Sequence, residues 1–270
     1  MREKLLKMWQ VIGTRRAGAL NYVLVGFVLL WLVYDRAQHL LTSGLHETGL
    51  IVLFVVAVTA FLVETLGFRY IKIANVFRAL GFRMPSEPGL RAALLISVTM
   101  LLFFPVLSLA SGERFRLQDN WPWIGLGMLA EAGLAQELVF RGYLFRHLRR
   151  HFPFMRAALF VLALSVAGGL LLFGSTDPLT VIARLVVLAA SALPLAHLYE
   201  HSGHCIWPPA LVSAVSQAAL QIVVIPAHLS LVALTGWVIV SAAVPQLAFV
   251  LLTRRAERSR PETEYVRARG

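Results

Sequence analysis

The sequence has little charge. Asp, Glu, Lys and Arg make up 14% of its 270 residues, and 58% are hydrophobic. A soluble domain carries nearer a quarter charged residues, so a water-soluble globule is excluded and an integral membrane protein is expected. Acidic residues are scarcer than basic ones, 14 against 25, which leaves a formal net charge of +11. Nucleic-acid binding would need those cations gathered on one soluble face. They are scattered between apolar runs instead, so the bilayer is the expected partner and nucleic acid is not. A single cysteine, Cys205, rules out an internal disulfide and says nothing of redox compartment. Internal repeats and a second domain are also lacking. Behind the basic MREKLLKMWQ there is no short apolar core with a small-residue cleavage site, so the first span is expected to stay uncleaved.

What is present is a series of apolar runs, with a mean hydropathy of +0.73. Eight spans are expected, at about 18–34, 47–66, 90–110, 122–145, 156–174, 179–199, 206–226 and 230–253. A crossing helix needs about 20 residues, and most of these reach it. With the N-terminus placed inside, the inner segments hold 20 of the 25 Lys and Arg and the outer loops hold 3. That asymmetry is the positive-inside pattern and puts both termini in the cytosol. The expected division is a basic N-terminus (1–17), one transmembrane domain (18–253) and a basic, polar tail (254–270). Phe68 to Gly81 interleaves basic and apolar residues, as a helix on the cytosolic surface would, or an extension of the second span. MPSEPG (84–89) ends it with breakers. Pro105, Pro194, Pro208, Pro209, Pro226 and Pro245 lie in or beside spans, where neighbouring helices must satisfy the backbone they free. Trp121 and Trp123 suit the outer interface and Trp207 the inner one.

Polar residues inside the spans are the informative ones, because a charge near the bilayer centre costs roughly 2.5–3.5 kcal/mol on insertion scales. Ala130 to Arg150, AEAGLAQELVFRGYLFRHLRR, carries four: Glu131, Gln136, Glu137 and Arg141. Glu137 and Arg141 are four apart and can pair on one helix face. A structural ion pair that pins helix packing explains them as well as a site does. Arg184, a few residues into the sixth span, needs a partner, and Glu131 is the candidate by depth.

QELVFRGYLFRHL (136–148) resembles the first motif of the CPBP family, which includes the CAAX prenyl proteases and the bacteriocin-processing or Abi proteins. HSGHCIWPPALVSAVSQ (201–217) resembles that family's later segment. The likeness covers about 110–253. It implies an all-α polytopic membrane fold of about eight transmembrane helices, with a CPBP-type core in spans four to seven. It also implies an intramembrane endopeptidase site built from EExxxR, FxxxH and HxxxN, whose first glutamate activates water. This chain departs from each motif. Gln136 stands at the first glutamate, Glu137 at the second and Arg141 at the arginine. Leu164 stands at the FxxxH histidine, and Ser213 and Gln217 at HxxxN. An amide cannot serve as a general base, and Ser and Gln are not typical metal ligands. The pattern is that of a retained scaffold with its catalytic centre lost, a pseudoprotease.

His197, Glu200, His201 and His204 form a second candidate, recurring at i, i+3, i+4 and i+7. HLYEH has the H-x-x-E-H spacing that gives some zinc peptidases two ligands and a base. Interfacial histidines keeping their tips in water explain the stripe equally, and Gly203 weakens the helix that His204 would need. No cofactor is therefore expected, with zinc at this stripe as the alternative. His147 and His151 lie among arginines and read as a solvated basic loop drawn to anionic headgroups. Three functions follow as expectations. The first is a non-catalytic protein binding a membrane protein or lipidic ligand through Gln136, Glu137, Arg141, Ser213 and Gln217. The second is an active endopeptidase on membrane-tethered or prenylated peptides, with Glu137 as a displaced base. The third is a transporter or channel component, which little in the sequence supports.

Overall fold

The computed structural model describes residues 2–41, 48–67, 73–172 and 178–258; at 2–17, 19, 39–41, 74, 169–172, 178–180, 184 and 254–258 only the backbone is described. The fold is all-α and of membrane type. Helices α1 (Arg2–Leu41) and α2 (Thr48–Gly67) precede a one-turn α3 (Val76–Ala79). Then come α4 (Glu87–Leu101), α5 (Phe103–Ser111), α6 (Trp121–Met128), α7 (Arg146–Arg149), α8 (Phe154–Leu172), α9 (Pro178–His201), α10 (Trp207–Ile222) and α11 (Ser230–Arg258). A two-residue strand β1 (Arg116–Leu117) pairs antiparallel with β2 (Val223–Val224).

The helices show why lipid is their solvent. Val52, Val56, Ala60 and Glu64 recur every four residues on the buried stripe of α2. The opposite face exposes Leu50, Ile51, Phe54, Val58, Leu62 and Leu66. An exposed face that apolar would be untenable in water. Among the described residues five helices are long and apolar enough to cross a bilayer: Leu20–Gln38, Thr48–Gly67, Glu87–Ser111, Val181–His201 and Ala227–Thr253.

The other expected spans differ for physical reasons. The seventh stops at Ile222, because the chain becomes extended and pairs with β1, leaving a helix of 16 residues. The fourth carries Glu131, Glu137 and Arg141 and is widened by two π-helical stretches, Leu129–Ala135 and Leu138–Phe145. It is also buried on every side from Leu138 to Phe145. The fifth, on α8, is apolar but shorter over Phe154–Gly168.

Trp121 to Arg149 thus forms the central rod. Leu134, Leu138, Val139 and Tyr143 pack with Val23, Phe27 and Leu30 of α1, Val52 and Val56 of α2, and Ala157 and Val161 of α8. A second core joins Ala93 and Met100 of α4, Leu195 and Leu198 of α9, Val212 and Ala219 of α10 and Trp237 of α11. Helix α10 links the two, because Ala210 belongs to the first core.

Prolines inside helices are tolerated as membrane packing requires. Pro194 has no N–H for the carbonyl of Ala190. Gln246, next to Pro245 on α11, donates its side-chain amide to that carbonyl at 2.6 Å.

Connections gather at two ends. At one, the Ile206 N–H donates to the Gly81 carbonyl at 3.1 Å, and Arg83 reaches the Gly203 carbonyl at 3.3 Å. At the other, β1 meets β2 beside exposed Trp121 and Trp123. Arg78, Arg83, Arg146, Arg149 and Arg150 stand at the first end, with exposed Trp207. The segment expected as a surface helix reduces to Ile73–Asn75 and α3, with Val76 and Leu80 fully buried. Residues 68–72 and the tail 259–270 lie outside the described residues.

Candidate functional site

The central rod presents its polar groups to α10. Small residues make this possible: a Cβ on Gly133 would stand 2.8 Å from the Ala210 carbonyl oxygen and 3.3 Å from the Ala214 methyl, so only glycine allows this approach. Ser213 donates its hydroxyl to the Ala132 carbonyl at 3.0 Å. One turn on, the Gln217 amide donates to the Gln136 side-chain oxygen at 2.9 Å, with the Ala132 carbonyl and Ser213 hydroxyl 3.4 Å away. Arg141 donates to Glu137 at 2.9 Å, and both side chains are out of solvent, at 4% and 0% exposure. Among the described residues, Oε2 of Glu137 and Nε of Arg141 have no hydrogen-bond partner.

Two features of the sequence set this geometry. The π-helical turns flank Gln136 and Glu137, and π-bulges are rare and recur at functional sites. The four-residue spacing of Glu137 and Arg141 closes the ion pair within one segment. The five polar positions of the motif therefore come together: Gln136, Glu137 and Arg141 on the rod, Ser213 and Gln217 on α10. Leu164, half-buried on α8, packs against the first core instead. Gln136 is half-buried and Gln217 exposed, so the two amides are the accessible part, and Glu137 is not.

Other expectations are corrected. The histidine stripe is not continuous, because α9 ends at His201 and both Gly203 and His204 adopt left-handed backbone, with φ of 75° and 60°. That takes His204 off the helical line. His204 packs its ring on Tyr199 at 5.5 Å, His197 stacks on His201 at 6.0 Å, and Glu200 pairs with Arg149. Among the described residues no three His, Cys, Asp or Glu side chains are grouped to hold a metal. Loss of water against Tyr199 lowers the His204 pKa, aided by Arg83 and Arg149 and opposed by Glu200. Burial raises that of Cys205, whose thiol donates to the Arg83 carbonyl at 3.0 Å.

His147 is not in a solvated loop. It is buried on α7, with Nε2 2.8 Å from the Glu64 carboxylate, which also accepts from Arg146. The helix continues past the apolar run, so His147 turns inward towards α2, while His151 stays exposed. Glu64 is a residue that the sequence reading missed. Its signal was there: it is the one carboxylate inside the second apolar span, Glu47 standing at its first position. Glu131 accepts from Gln38 of α1 at 2.7 Å, and its expected partner Arg184 has a side chain outside the described residues.

Residues 118–219, which carry all of this rod and most of α10, match the family described as Rce1-like, type II CAAX prenyl endopeptidase Rce1-like. Over those residues the chain is similar to the CAAX-protease (CPBP) family. The match spans less than half of the chain, beginning in the loop before α6 and ending within α10. No curated protein matches the sequence. The apolar helices and this likeness to a membrane protease family together mark an integral membrane protein. In the terms of the motif resemblance, the rod holds the positions of EExxxR and α10 those of HxxxN.

Proposed function

We propose that this CAAX-protease-like membrane protein does not cleave peptide bonds and instead uses the family site to bind a membrane protein or a lipidic ligand. One observation carries the reading. Where the resemblance puts a water-activating carboxylate, the Gln136 amide is hydrogen-bonded to a second amide, Gln217. Neither can take a proton from water at neutral pH. The neighbouring carboxylate, Glu137, is sealed from solvent and paired with Arg141. What remains accessible is a pair of amides, which can donate to or accept from a ligand's polar group.

Orientation belongs to the same proposal. The basic end holds Arg83, Arg146, Arg149 and Arg150 and faces the cytosol, together with both termini. A C-terminal fluorescent-protein fusion that fluoresces, with an inactive alkaline-phosphatase fusion at the same point, supports this. The converse pattern reverses it.

A second reading has one observation in its favour: Glu137 keeps a carboxylate oxygen, Oε2, with no hydrogen-bond partner among the described residues, and a carboxylate is a competent base. Purified protein, incubated with a panel of prenylated and membrane-tethered peptides, separates the two. The binding role expects no cleavage, and a lipid or protein that co-purifies with wild type and is lost on Gln217→Leu. Cleavage that Glu137→Gln abolishes would establish the endopeptidase instead.

A further inference from the structure

At the basic end, a pocket of about 440 Å³ opens between the α3 turn, the end of the central rod and the end of α9. Its charged wall is one-sided. Arg83, Arg146, Arg149 and Arg150 line it, with Glu200 as the one carboxylate. Behind the wall, Glu64 accepts from Arg146. Among the described residues, four guanidinium groups thus stand with two carboxylates, a local setting that favours an anion.

The wall is also prepared. Arg83 is fixed by the carbonyls of Arg78 at 3.0 Å and Gly203 at 3.3 Å. Arg149 is fixed by Glu200 and by the Phe152 carbonyl at 3.0 Å. Tyr199 lines the same pocket, is fully buried, and its hydroxyl has no hydrogen-bond partner among the described residues. Nε of Arg146 is likewise without one. A buried hydroxyl with no partner is destabilising, and a ligand acceptor would relieve it. Planar guanidinium forks match phosphate oxygens better than any other common anion-binding side chain.

We propose that this pocket binds a phosphate-bearing anion, and that its natural source is the headgroup of an anionic phospholipid. The position favours the lipid source. The pocket lies where the spans end, and the segments that flank its lining residues in sequence carry exposed Ile73, Phe77, Met84 and Trp207, side chains suited to the boundary between headgroups and acyl chains. The site is separate from Gln136 and stands whether or not that position takes part in hydrolysis.

The test uses the full chain in neutral detergent, with thermal unfolding and native mass spectrometry as readouts. The probes are inorganic phosphate, phosphatidylcholine micelles, and the same micelles with phosphatidic acid. Phosphatidic acid is expected to raise Tm and to stay bound in the spectrometer, whereas phosphatidylcholine does neither. Arg83→Gln is exposed and should fold; it is expected to weaken the apparent affinity about tenfold, the worth of one charged hydrogen bond. Tyr199→Phe keeps the ring against Phe145 and His204 and should weaken it several-fold. Saturable protection by inorganic phosphate without any by phosphatidic acid would keep the phosphate site and overturn the lipid source. No response to any phosphate probe, or an equal response in Arg83→Gln and Tyr199→Phe, overturns the site.

Discussion

The His147 ring meets the Glu64 carboxylate at 2.8 Å across 83 positions of sequence, and Arg146 donates to the same oxygen. This contact ties the second span to the end of the central rod. Glu64 has no solvent exposure, and Arg146 little. Removing one member of a buried ion pair leaves the other uncompensated. Glu64→Leu is therefore expected to lower stability by roughly 3 kcal/mol, read as thermal or denaturant unfolding in detergent micelles. A loss below about 1 kcal/mol would mean that the contact is incidental.

The same contact predicts a pH dependence. His147 stands beyond the apolar run, and burial lowers its pKa first, with Arg146 and Arg150 adding to that and Glu64 opposing it. The ring of Tyr143, 4.9 Å away, covers it. A histidine that resists protonation when folded takes up protons more readily when unfolded. Stability is then full above the ordinary histidine pKa of about 6.5 and falls as pH drops below it. Wild type should lose more Tm between pH 7 and 5.5 than His147→Gln; parallel curves would show that His147 does not titrate in this window.

Pro194 and Gln246 should be energetically coupled. Gln246→Leu leaves the Ala190 carbonyl without its donor, at an expected cost of about 1–3 kcal/mol. In a Pro194→Ala background, the restored N–H serves that carbonyl, so the same substitution should cost much less. Additive losses in the double-mutant cycle would show the contact to be independent of the proline.

Gly133→Val tests the docking of α10. The new side chain cannot fit 2.8 Å from the Ala210 carbonyl, so α10 must move or the protein loses about 1–3 kcal/mol. Either way the Gln217–Gln136 bond should be disturbed, and ligand retention with it. Unchanged stability and retention would place the close approach outside the site's requirements.

Gln136→Glu restores the carboxylate that the family motif calls for. It is expected not to create peptidase activity, because Leu164, Ser213 and Gln217 leave the other pocket positions without imidazole or Asn. Cleavage of a prenylated peptide by this single variant would show that one amide alone had silenced the enzyme.

The residues by themselves determined the solvent of this protein and the composition of its family site. Apolar runs with few charges specify helices in lipid, and Gln136, Leu164, Ser213 and Gln217 depart from the motif as soon as it is aligned. Both are local properties, set by which side chain occupies which position. The Glu137–Arg141 pair was legible for the same reason, since both groups lie within one helical turn. The histidine stripe misled because periodicity assumes that a helix continues, and Gly203 and His204 end it with left-handed backbone.

Tertiary structure decided the rest. Which face of the rod meets α10, that Glu64 comes to His147, that Gln246 serves the carbonyl freed by Pro194, and that Arg83 joins the three arginines at the rod's end around one pocket are all long-range matters. They depend on how helices cross and how closely they approach. In lipid, that is governed by small residues and by where each stranded polar group finds a partner, a choice no single segment can express.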